Sequence, residues 1–110
     1  MILPREQFQN LTEPMYYILI SLIKERCGVD IMAEVEVISK GRVKVGPGTL
    51  YALLGRFEKE NMIRETEVVG RKRSYIITEK GFEILQDEYK RLNTLVEDGK
   101  SFLGGDMDDI

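Results

Sequence analysis

The chain has 110 residues, 43% hydrophobic and 32% charged, a size for one domain with a modest core and a composition with no run long enough to cross a bilayer. It has no histidine and one cysteine, which excludes Ser-His-Asp and Cys-His catalysis, histidine-based metal sites and an internal disulfide. The formal charge of −3 hides a split, with residues 40–80 carrying +5 and the remainder −8, so one stretch can face a polyanion while its flanks repel it.

In chain order, residues 1–11 are polar with scattered apolar positions and read as a lead-in arm. They lack the order of a secretory signal, and with the lone cysteine they point to a reducing, cytoplasmic setting. Thr12-Glu13-Pro14 is a helix start, because Thr can cap free N–H groups and Pro is tolerated in the first turn. The helix is expected to run to about Arg26 and to end before Gly28. It is apolar nearly all round, from Met15 to Ile23, where a helix of a small monomer needs one buried stripe. Two apolar faces imply a second burial partner. Cys27, at the helix end, reads as a structural residue, with a redox-sensing thiol as the sharper alternative.

A second helix is expected over 29–39, stopping at Ser39-Lys40-Gly41. Arg42-Val43-Lys44-Val45 alternates basic and apolar and reads as a short strand. A third helix begins at Gly46-Pro47-Gly48-Thr49 and runs to about Glu60, with Leu50, Leu53, Leu54 and Phe57 as its core stripe. Its other face carries Gly48, Ala52, Gly55 and Lys59, flanked by Thr49, Arg56 and Tyr51. Residues 62–69 and 73–78 form a hairpin whose connection, Gly70-Arg71-Lys72-Arg73, is basic. Thr78 caps a last helix over 79–97, in which Phe82, Leu85, Tyr89, Leu92 and Val96 fall at helical spacing. The acidic, glycine-bearing remainder, 98–110, is expected to be a flexible tail.

Three helices followed by a hairpin make an α+β, mainly α chain: a winged helix-turn-helix over 1–78 with its arm, then a long dimerisation helix over 79–97. In that arrangement the third helix enters the major groove and the hairpin reaches nearby phosphates. The residues suited to double-stranded DNA are Lys44, Gly48, Thr49, Tyr51, Ala52, Arg56, Lys59, Arg71, Lys72 and Arg73. Hydroxyls near a helix start, small residues that let the backbone come close, and clustered cations all serve that contact. A homodimer would be packed by Tyr16, Ile20, Ile23, Leu85, Tyr89, Leu92 and Val96.

The segments LTEPMYYILISLI (11–23), GPGTLYALLGRFEKENMI (46–63) and GRKRSYIITEKG (70–81) also resemble the PadR family of bacterial transcription regulators. Gly48-Thr49-Leu50-Tyr51 opens the helix as in that family, and Tyr75, Thr78 and Gly81 follow the basic wing. The resemblance covers about residues 11–97 and implies an operator-binding homodimer, usually a repressor released by a small molecule or stress signal. It points to the short branch with a single C-terminal helix. Some members stack planar ligands on a tryptophan in the last helix. This chain has none, so a flat aromatic effector would need Tyr16, Tyr89 or Phe8 instead. No cofactor and no metal is implied. The rival reading is a winged-helix protein-interaction module without DNA binding, motivated by the acidic pI of about 5.1 and the small residues on the third helix.

Overall fold

The structure is a computed structural model that describes residues 10–104. Most of the expected lead-in arm, including Phe8, and residues 105–110 of the expected tail lie outside the described residues. The elements run α1 (Glu13–Ser21), β1 (Arg26–Cys27), α2 (Gly28–Ile38), α3 (Pro47–Lys59), β2 (Ile63–Val69), β3 (Lys72–Ile77) and α4 (Glu79–Gly99), followed by a π-helical turn (Lys100–Gly104). The three strands form one antiparallel sheet in the order β1-β3-β2. This is a winged helix-turn-helix with a long C-terminal helix, the fold class expected from the sequence.

The caps follow their side-chain chemistry. Thr12 Oγ1 accepts from the Met15 N–H at 3.3 Å, and Thr78 Oγ1 accepts from the Gly81 N–H at 3.0 Å. Each satisfies one donor that the first helical turn leaves open. The core lies where α1, α2 and α3 meet. Ile18, Leu19, Leu22, Ile31, Leu50, Leu54, Phe57 and Met62 are fully buried there. The i, i+3, i+4, i+7 stripe of α3 supplies Leu50, Leu54 and Phe57, while Leu53 sits at its half-buried edge.

Two expectations are corrected. The first helix does not reach Arg26. It ends at Ser21, and the Leu22 carbonyl accepts from the Ile77 N–H at 2.8 Å. That bond draws the chain into the sheet, where Arg26 and Cys27 pair with Tyr75 and Ser74. A two-residue strand has no periodicity to read. Conversely, Arg42–Val45 is not a strand. Val45 is buried and Val43 half-buried while Arg42 and Lys44 are exposed, as alternation predicts, but among the described residues no strand pairs with this segment. The segment is held by Ser39, whose hydroxyl accepts from the Val43 N–H at 3.0 Å and donates to the Val43 carbonyl at 3.2 Å.

Helix α4 runs two residues beyond the expected end and continues into the π-helical turn. Its start is pressed against the end of the hairpin's approach: a Cβ on Gly81 would lie 2.0 Å from the Met62 carbonyl oxygen. Only glycine permits that approach.

Candidate nucleic-acid interface

Helix α3 turns Leu50, Leu54 and Phe57 inward, which leaves Gly48, Thr49, Tyr51, Ala52, Gly55, Arg56 and Lys59 exposed on its other side. Apart from the chain neighbours and the helix's own backbone, no atom of the described residues comes within 4 Å of the position that a Cβ would take on Gly48 or Gly55. The expected close approach to this helix is therefore not made by the other described residues. At the C-terminal end, Arg56 and Lys59 lie in the last turn, where cations also favour the helix dipole.

The hairpin brings its cations to the same side of the molecule. Arg71, Lys72 and Arg73 line a cleft of about 480 Å³ together with Tyr51 and with Cys27, Gly28, Val29 and Asp30 at the start of α2. A second groove of about 530 Å³ joins Tyr51, Gly55 and Glu58 of α3 to Arg71, Arg73 and Tyr75. Tyr51, Arg71 and Arg73 belong to both. Tyr51 is 47% exposed, and its hydroxyl lies over Gly28, where a Cβ would stand 2.2 Å from it. Sequence reading missed Gly28, because a glycine that looks like a helix end gives no sign of a ring 23 residues further on.

The wing cations are not equivalent. Arg73 pairs with Glu65 at 3.3 Å, whereas among the described residues neither Arg71 nor Lys72 has an ion-pair partner. Burial pushes the Tyr75 phenol up from its usual range, and Glu58 and Glu65 push it further, against a smaller lowering by Arg73. Lys44, expected at the interface from sequence, is exposed on the segment leading to α3 but lines neither cleft. Cys27 is buried and donates its thiol hydrogen to Asp30 at 3.3 Å. Among the described residues no cluster of three or more acidic or thiol groups could hold a metal ion.

The model of the transcriptional regulator PadR-like family matches residues 18–87, more than half of the chain. The chain belongs to the PadR-like family of transcriptional regulators. It is a DNA-binding regulator of transcription by that membership. Solved structures agree in fold. A transcriptional regulator from Clostridium thermocellum aligns with a TM-score of 0.70 at 19% identity, over 83% of this chain and 94% of that one. RosR from H. salinarum aligns with a TM-score of 0.61 at 25% identity, over 86% and 97%. A PadR family regulator from Clostridium difficile aligns with a TM-score of 0.63 at 23% identity, over 80% and 97%. An uncharacterised 37.1 kDa transposon protein of Streptomyces fradiae is 39% identical over 61 residues, and the match spans 56% of this chain but 17% of that protein's length.

In this PadR-like chain the last helix also exposes apolar side chains. Helix α4 uses two faces. Gly81, Ile84, Leu85 and Glu88 are buried against the chain's own domain. Phe82, Tyr89 and Val96, seven residues apart, are exposed roughly 100° further round, at 100° per residue. Leu85, expected at a dimer contact, is 5% exposed and sits in the chain's own core. Helical spacing places Leu85 and Tyr89 on one stripe but does not say where the domain's edge falls. Of the other expected dimer residues, Tyr89 is 58% and Val96 66% exposed, Ile23 is exposed, and Tyr16, Ile20 and Leu92 are half-buried. The π-helical turn adds exposed Phe102 and Leu103, which the sequence assigned to the tail. Among the described residues no helix is long and apolar enough to cross a membrane.

Proposed function

We propose that the protein is a cytoplasmic homodimeric repressor that binds a pseudo-palindromic operator and is released by a small-molecule or stress signal. Two-fold symmetry would set two copies of α3 about 34 Å apart, one turn of B-DNA. The observation that carries the DNA contact is the convergence at Tyr51. The exposed face of α3, the start of α2 and the Arg71–Arg73 wing border the two clefts that this residue lines. Thr49, Tyr51 and Arg56 would contact the duplex from α3, with Gly48 and Ala52 letting the backbone approach. Arg71 and Lys72 would bind phosphate.

The exposed seven-residue repeat Phe82, Tyr89 and Val96 supports a second copy as partner, since such a repeat keeps one seam facing a neighbouring helix. An effector lodged between the paired helices would change the separation of the α3 helices and weaken simultaneous engagement of both half-sites. Fluorescence anisotropy against DNA upstream of the protein's own coding region, with scrambled DNA beside it at two salt concentrations, tests the reading. The expected result is specific binding that weakens steeply with salt. Binding to neither DNA in the absence of effector, together with capture of a protein partner, would favour the interaction-module reading.

A further inference from the structure

We propose that Glu88 is a positioning residue whose buried carboxylate clamps α4 to the entry of α1 and thereby sets the separation of the two recognition helices. The inference rests on the homodimer reading above.

Glu88 is 1% exposed. A carboxylate so placed must have its hydrogen bonds supplied by the protein. Oε1 accepts from Arg91 Nε at 2.9 Å, and Oε2 accepts from Arg91 Nη2 at 2.6 Å. Oε2 also accepts from the Leu11 backbone N–H at 3.2 Å. The guanidinium fork meets the acid from the α4 side, and the bond from Leu11 joins it to the residue just before the α1 cap. The other buried polar residues among those described bond locally. Ser21 and Ser39 bond within four residues along the chain, whereas Glu88 reaches back 77. Apolar side chains at a helix crossing can slide and repack. A hydrogen bond to one particular backbone N–H specifies register.

The place of the clamp gives it leverage. Glu88 is the last buried residue of α4, and residues 93–98 are all exposed. From Glu88 to Gly99 the helix extends about 16 Å at ~1.5 Å per residue. On that lever a tilt of about 15° moves the tip by about 4 Å, more than the ~3.4 Å rise of one base pair. The tip carries Val96, and Phe102 and Leu103 follow it. A small loss of angular control at Glu88 is therefore large at the seam between protomers, and it is passed back to the second α3.

The test places one nitroxide per protomer on exposed α2, using Glu36→Cys in a Cys27→Ser background, and measures the distance between protomers by dipolar spectroscopy. Glu88→Gln keeps an acceptor for Leu11 and removes the ionic fork. The expected result is a broadened distance distribution displaced by about 4 Å, the lever estimate above, with dimers still present by sedimentation. Arg91→Gln should shift it in the same direction by less. A purely structural role would lower thermal stability and leave the distribution in place. Identical distributions in the parent and both variants would therefore overturn the inference alone. A parent with no dipolar signal would overturn the dimer reading and this inference together. If Glu88→Gln does not fold by circular dichroism, Arg91→Gln, whose altered side chain is 38% exposed, decides on the same criterion.

Discussion

The phenol of Tyr51 occupies the space that a side chain on Gly28 would need. A Cβ there would stand 2.2 Å from the hydroxyl oxygen and 2.9 Å from Cζ. The ring thus lies across the start of α2 beside the wing cations, and this orientation depends on a residue in a different helix. The contact is with the far end of a half-exposed side chain, so the chain can relieve a clash by moving the ring.

Gly28→Ala is therefore expected to change stability by no more than about 1 kcal/mol, since better helix propensity offsets the displacement. Operator affinity should fall about tenfold, the scale of one charge-assisted hydrogen bond. Tyr51→Phe should lose a similar amount. In the double variant the losses should not add, because both remove one contact. Anisotropy titrations of the four proteins measure this, and simple additivity would show that Gly28 acts on something other than Tyr51.

Gly81→Ala should behave in the opposite way. Its Cβ would meet the backbone oxygen of Met62 at 2.0 Å and Ile77 Cγ1 at 2.9 Å. That carbonyl already accepts from the Thr78 N–H at 2.9 Å, so it cannot swing aside without losing the bond. The variant is expected to lose about 1–3 kcal/mol, the usual cost of overpacking, in spite of alanine's better propensity. Urea unfolding reads the loss, and a variant as stable as the parent would mean that the α4 start shifts freely.

These two glycines show where sequence reading reaches its limit. The helices, the hairpin and both threonine caps were legible, because periodicity and capping are local. The inward stripe of α3 named its outward residues by subtraction. What distinguishes Gly28 from Gly55 is a contact with a ring or the lack of one, and that is set by tertiary packing. Glu88 was missed for a related reason: an acid beside an apolar stripe reads as solvated until a backbone N–H 77 residues away is found against it. Its one local signal is Arg91, three residues on.

Leu85 and Val96 share a helical stripe and should separate in experiment. Leu85 is buried in its own domain, so Leu85→Ala is expected to cost about 2–5 kcal/mol of folding stability. Val96 is 66% exposed in the single chain. Val96→Asp should leave monomer folding within about 0.5 kcal/mol and weaken self-association. Sedimentation across a dilution series, paired with urea unfolding, measures both. A dimer unaffected by Val96→Asp would move the seam elsewhere on α4.

Tyr16 and Tyr75 should ionise later than an ordinary tyrosine. Burial is the main cause in each. An unfolded phenol loses its proton near pH ~10, and these two lose it later in the folded chain. Their contribution to stability is thus fully present below pH ~10 and declines as pH rises through their folded values. Phenolate absorbance of the native protein should show a delayed fraction that Tyr75→Phe reduces. Stability should also drop less between pH about 9 and about 11 in that variant than in the parent. Equal drops would mean that Tyr75 ionises in the folded chain as it does in the unfolded one.

The wing offers a graded test of the DNA contact. Neutralising one phosphate-bound cation lowers the slope of log K against log salt by about 1. Arg71→Ala and Lys72→Ala should each do so while weakening binding to specific and scrambled DNA alike, since phosphate carries no sequence information. Arg73→Ala should lower the slope less, because Glu65 at 3.3 Å already offsets part of its charge. Removing that acid by Glu65→Gln should in turn steepen the slope while Arg73 is present and have little effect once it is gone. Anisotropy at several salt concentrations gives each slope directly. Slopes parallel to the parent in both Arg71→Ala and Lys72→Ala would take the wing out of the contact and leave α3 to bind alone.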